Sequence, residues 1–65
     1  MELWIARDLD NTLNLYTVEP YLDSNDNAYA INEKKGDYLR LLSNLFIDVT
    51  FENSPQKVKI ELIKE

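Results

Sequence analysis

The chain has no cysteine and no histidine, and only one glycine and two prolines among its 65 residues. Without cysteine there are no disulfides, and without either residue the usual zinc ligands are missing. Histidine is also the common base for a nucleophilic serine, so Ser24, Ser43 and Ser54 have no such partner for acyl chemistry. A lone Gly36 excludes a glycine-rich phosphate loop. No stretch approaches the roughly 20 apolar residues of a membrane span. The first six residues form too short an apolar run for a leader, with Glu2 where a signal peptide carries bases. These absences lead us to expect a cytoplasmic, non-enzymatic protein with no cofactor, no metal and no membrane segment.

Basic residues are scarce too. Seven Lys and Arg stand against twelve Asp and Glu, for a net charge of −5. All of that charge lies in the first half, where Glu2, Asp8, Asp10, Glu19, Asp23 and Asp26 face Arg7 alone. Residues 33–65 balance. Nucleic-acid binding needs a basic face, so direct binding is not expected. The expected partner is instead a protein with a basic surface. Oligomeric state is left open.

What remains suffices for one small domain. Hydrophobic residues make up 45%, so a core can form. A core of this size rarely supplies more than roughly 3–5 kcal/mol. It must be built from Trp4, Phe46, Phe51, the tyrosines and the aliphatic residues, or completed by a partner.

Short periodic segments suggest a small α+β domain, mostly β: an antiparallel sheet of 3–5 strands with one short helix or helical turn. Leu3-Trp4-Ile5-Ala6 and Leu13–Val18 are β-prone, and the Asp and Asn between them tolerate positive φ, as a hairpin turn requires. Pro20 ends the second strand, residues 22–27 read as a polar loop, and Ala28–Ile31 as a short strand. Tyr38, Leu41, Leu42, Leu45 and Phe46 have helical spacing, yet 38–42 also fits a strand followed by one helical turn at 43–46. Residues 47–52 and 57–62 alternate with period two and read as two strands, the first alternatively as an extended cover over the core. The expected sheet joins the hairpin (2–7 and 12–18) to strands 57–63 and 28–31.

Two motifs carry the pattern of chemistry. Asp8-x-Asp10-x-Thr12 after an apolar strand resembles the first motif of haloacid dehalogenase phosphatases, whose aspartates serve as nucleophile and acid/base around magnesium. That family uses a doubly wound α/β sheet, and 65 residues cannot supply its crossovers. A turn rich in Asp and Asn is the better reading. Asp23, Asn25 and Asn27 match the start of an EF-hand loop, but Ala28 and Lys34 replace the required Gly and Glu. Trp and Tyr are enriched at interface hot spots. Trp4, Asp8, Asp10, Tyr16, Glu19, Tyr21, Asp23 and Asp26 are therefore the candidate partner-binding residues.

As a whole the chain resembles a family of short uncharacterised proteins of gut Bacteroidetes and their mobile elements. The resemblance rests on Trp4–Asp8 with Asp10–Leu13, Leu15 and Tyr16, then on Glu19-Pro20, then on Leu45-Phe46 with Val49–Pro55. It implies a tight turn at Asn11 and a strand-then-turn pattern over 38–46, and it carries no assigned activity or functional residues. The expected role is a protein-interaction or regulatory module. A self-associating assembly protein is the alternative, and a magnesium phosphatase the remote one.

Overall fold

The hairpin around Asp8–Thr12 forms the centre of the molecule. In a computed structural model, which describes residues 2–60, β1 (Glu2–Arg7) pairs antiparallel with β2 (Leu13–Tyr16). The turn closes through Asp8 N–H to Thr12 O and Asn11 N–H to Asp8 O. Asn11 has φ 80°, the left-handed conformation that Asn tolerates. β5 (Tyr38–Leu41) adds outside β2 and β6 (Gln56–Lys59) outside β1, giving the order β5-β2-β1-β6. A separate two-stranded ribbon joins β3 (Tyr21–Asp23) to β4 (Ala28–Ala30).

Strand alternation sorts the four-stranded sheet into two faces. Leu3, Ile5, Arg7, Leu13, Leu15, Leu39, Leu41 and Val58 share one face by register. Its core is Ile5 and Leu13 under Val49, with Leu15, Leu41 and Val58 packed alongside. The other face carries Trp4, Ala6, Asn14, Tyr16, Tyr38 and Arg40. The β3–β4 ribbon is tied to the hairpin on β1, where Tyr29 N–H donates to Asp8 Oδ1, Tyr16 Oη to Tyr29 O, and Leu9 N–H to Asn27 O.

Arg7 is the one base of the acidic half, and it points inward in phase with Leu3 and Ile5. It is 6% exposed. Its guanidinium donates to five main-chain carbonyls: Val49 at 2.6 Å, Ser43 and Leu45 at 2.9 Å, Asn11 at 3.0 Å and Phe46 at 3.2 Å. Asn11 Oδ1 accepts as well, at 3.3 Å. Among the described residues Arg7 forms no ion pair, so these carbonyl dipoles take the place of a carboxylate around the buried charge.

This arrangement corrects the expected helix. No helix or helical turn occurs among the described residues, and the fold there is all β. The carbonyls of Ser43, Leu45 and Phe46, which a helix would use internally, face Arg7 instead. Phe46 has φ 48°, which breaks the helical direction, and residues 42–49 close through single turns, Leu45 N–H to Leu42 O and Val49 N–H to Phe46 O. Leu41, Leu42, Leu45 and Phe46 have helical spacing because a strand runs into a turn, not because they share a stripe.

Residues 47–52 are likewise not a strand. Val49 is buried but Ile47 is 81% exposed. Asn53 organises the segment by accepting Thr50 N–H and donating to Asp48 O. The segment does cover the core without pairing, as a series of turns in place of an extended run. Ser54 Oγ accepts Arg7 N–H at the register position just beyond β6, next to a cis Ser54–Pro55 bond. The strand expected at 28–31 is β4 and does not join the main sheet; it pairs with β3, whose Leu22 and Asp23 fall within the polar loop expected at 22–27. β2 stops at Tyr16, short of the expected 18. Positions 61–63 of the expected last strand lie outside the described residues.

Two variants test this account. Arg7→Met takes the guanidinium donors from the buried Val49 carbonyl and from the part-buried carbonyls of Asn11, Ser43, Leu45 and Phe46, and we expect it to cost about 3 kcal/mol or more, most of the stability of so small a core. A urea midpoint within experimental error of the parent's would contradict that. A Cβ at Gly36 would meet the Val18 methyls at 2.7 and 2.9 Å and Thr17 Oγ1 at 2.8 Å. Gly36→Ala should therefore lower stability by about 1–3 kcal/mol, measured in the same titration.

Candidate interaction surface

The Asp8-x-Asp10-x-Thr12 loop is held by its own carboxylates. Asp8 Oδ1 accepts Tyr29 N–H at 2.8 Å and Asp10 Oδ1 accepts Thr12 N–H at 3.0 Å. Each aspartate thus anchors a different part of the backbone, one joining the ribbon to the hairpin and the other closing an Asx turn. Asp23 behaves similarly, accepting Asn25 N–H at 3.0 Å, which accounts for the EF-hand-like spacing as a local turn. No group of acids able to hold a metal ion occurs among the described residues.

The environments of the two hairpin aspartates differ. Burial pushes the Asp8 carboxyl up from its ordinary value; the Tyr29 N–H opposes this, while nearby Asp10 adds to it and Arg40 subtracts. The N–H and hydroxyl of Thr12 pull Asp10 down.

The eight candidate partner-binding residues are spread over the molecule. Tyr16 is buried, its ring 6.1 Å from that of Tyr38. Trp4 is half-buried, with Lys57 Nζ 5.8 Å from its ring. Glu19 and Tyr21 are exposed around the buried Pro20. The remaining acids sit on two hairpin tips, Asp8 and Asp10 on one, Asp23 and Asp26 on the other, and the Leu9–Asn27 hydrogen bond joins these tips.

Beside that acidic end lies a surface the sequence reading assigned to the core. Leu42, Leu45, Phe46 and Ile47 are 70, 42, 56 and 81% exposed. Their backbone is the segment gripped by Arg7, so the apolar side chains project from a fixed loop. A cavity of about 300 Å³ separates this loop from the hairpin tip, lined by Arg7, Asp8, Asn11, Ile47 and Glu52 among others. The available signal was density: Leu39, Leu41, Leu42, Leu45, Phe46 and Ile47 are six large apolar residues within nine positions, more than one side of so small a sheet can cover.

On the opposite face, Asn14, Tyr16, Tyr29, Tyr38 and Arg40 border a second cavity of about 270 Å³. Asn14 is 5% exposed and its Oδ1 has no hydrogen-bond partner among the described residues.

No family model, curated protein or solved structure matches the chain.

The pH behaviour of Asp8 gives a test. Its folded-state carboxyl holds its proton more tightly than the unfolded one, so the ionised form opposes folding. Stability should fall as pH rises from 3.8 through the raised value. The depressed Asp10 acts below 3.8, a separate window. Asp8→Asn keeps an acceptor for Tyr29 N–H and removes the charge. Thermal melts at pH 7 should show it at least as stable as the parent, with a flatter profile above pH 3.8; a clear loss of stability would contradict this.

Proposed function

We propose that the protein is a non-enzymatic interaction module that docks through the loop at Leu42–Ile47. The observation carrying this reading is a cluster of four large apolar side chains in water on a backbone fixed by a buried arginine. Leaving such groups exposed forgoes hydrophobic stabilisation that a small domain needs, and contiguous exposed apolar surface characteristically marks a contact site. A pre-ordered loop also loses less entropy on binding than a mobile one.

The partner's chemistry follows from what surrounds the loop. Asp10, Asp48 and Glu52 are exposed acids close to it in chain or cavity. An apolar centre with an acidic rim fits a protein that offers an apolar depression bordered by Lys or Arg, the usual division between a desolvated core and a polar rim. The rim would set association rate and salt sensitivity, and the apolar centre the lifetime of the complex. The occupation of Asp8 and Asp10 by main-chain N–H groups supports a binding role over phosphoryl transfer.

The test is capture from an extract of the native host. The parent should retain a specific partner that Phe46→Ser with Ile47→Ser releases, while Asp10→Asn with Glu52→Gln shifts the salt dependence and leaves the complex intact. Equal capture by parent and loop variant would remove the reading.

A further inference from the structure

The two outer strands of the main sheet are unlike one another. β6 carries Lys57 and Lys59 along its edge. An antiparallel pairing of β6 with a second β6 centred on Lys57 or Val58 sets lysine against lysine. Charged edges of this kind protect natural sheets from joining. β5 is the other end of the sheet and reads Tyr38-Leu39-Arg40-Leu41, with no lysine. Leu39 is 62% exposed and Tyr38 53% exposed.

The register determines which main-chain groups of β5 are open. Thr17 N–H donates to Asp37 O, one step beyond the Tyr16–Tyr38 pair, so 17/37 is a hydrogen-bonded pair of the β2–β5 ladder. Hydrogen-bonded and non-bonded pairs alternate in an antiparallel ladder. Leu39 and Leu41 therefore turn their N–H and C=O toward β2. Tyr38 and Arg40 turn theirs outward, where no strand lies among the described residues.

We propose that this edge pairs with β5 of a second copy of the chain, antiparallel, about a two-fold axis at Leu39. The inference rests on the reading of the protein as an interaction module but uses a different surface from the apolar loop. A two-fold axis normal to the sheet keeps each face on its own side, so only registers centred on one residue are allowed. Centring on Arg40 opposes two guanidinium groups. Centring on Leu39 places Tyr38 opposite Arg40 of the second copy in a hydrogen-bonded pair, twice, and uses all four outward main-chain groups of each copy. It sets each Arg40 against a tyrosine ring, a favourable cation–π pairing. Among the described residues Arg40 forms no ion pair. Leu39 meets Leu39 at the axis as a close non-hydrogen-bonded pair, extending the apolar row from Ile5 through Leu15 across the joint. The result is a continuous sheet of eight strands whose two ends are the lysine-bearing β6 edges.

A chain without cysteine allows a direct test. In this register the two copies of position 39 lie about 4.5 Å apart by Cα, within reach of a disulfide. The two copies of position 38 are offset along the strands by two residues, about 7 Å, which with the spacing between strands puts their Cα atoms about 8–9 Å apart, out of reach. Under mild oxidation Leu39→Cys should give covalent dimer at least tenfold faster than Tyr38→Cys or Lys57→Cys. Sedimentation equilibrium should show the parent associating with concentration. Leu39→Lys should remain monomeric, with an unchanged circular-dichroism spectrum showing that it folds. Comparable cross-linking at 38 and 39, or a parent that stays monomeric at millimolar concentration, overturns the proposal. So does a dimer lost with Phe46→Ser and Ile47→Ser but not with Leu39→Lys. A monomer that still captures a partner through loop 42–47 overturns only the pairing; one that captures nothing overturns the module reading as well.

Discussion

A buried guanidinium with no ion-pair partner among the described residues organises this protein. Arg7 reaches from the central strand to carbonyls at Asn11, Ser43, Leu45, Phe46 and Val49. Arginine suits the position because its donors form a rigid planar fork that can serve several acceptors at once, and because it keeps its charge when buried. Lysine offers one nitrogen at a single point. The carbonyls of Ser43, Leu45 and Val49 gain a donor in the guanidinium, that of Phe46 gains one beside Val49 N–H, and the charge gains a shell of dipoles in place of water. Val49 is brought over Ile5 and Leu13 by the same contacts, so formation of the core and satisfaction of the loop are one event.

The rest of the non-strand backbone follows the same plan. Tyr29 Oη donates to the carbonyls of Phe51 and Ser54, Asn53 closes the turn at 50–53, and Ser54 Oγ accepts the N–H of Arg7. Polar side chains do the work that helix or ladder hydrogen bonds would otherwise do. A loop held this way can be ordered without burying its own apolar side chains. That is the physical basis for reading Leu42–Ile47 as a contact surface: the backbone is anchored from below, and the side chains are left facing water.

Much of the main sheet was legible in the sequence. Asp and Asn between two β-prone runs marked the hairpin, and strict alternation marked the last strand, since both signals depend only on local conformational preference and period. The strand at 38–41 was legible as one of two readings. The β3 strand was not, because Tyr21–Asp23 has too little pattern to distinguish it from the polar turn that follows. The helical turn expected at 43–46 and the strand expected at 47–52 are absent, because apolar spacing in these segments does not mean burial; only the alternative of 47–52 as an unpaired cover agrees with the fold. In the candidate surface the acids at the hairpin tips were found from charge alone. The apolar loop beside them was missed, because exposure of a large hydrophobic residue leaves no mark on the sequence.

Local chemistry, then, determined the turns, the strand faces and the uneven charge, and the sequence holds neither cysteine nor histidine. The tertiary structure decided the rest. Arg7 is adjacent in sequence to Asp8 yet bonds to residues 36–42 positions away, and only the folded chain brings its nitrogens to those carbonyls. That long-range contact overrode the helical spacing of 38–46 and the alternation of 47–52, because satisfying a buried charge and five carbonyls outweighs the few tenths of a kcal/mol per residue that local propensity contributes, roughly.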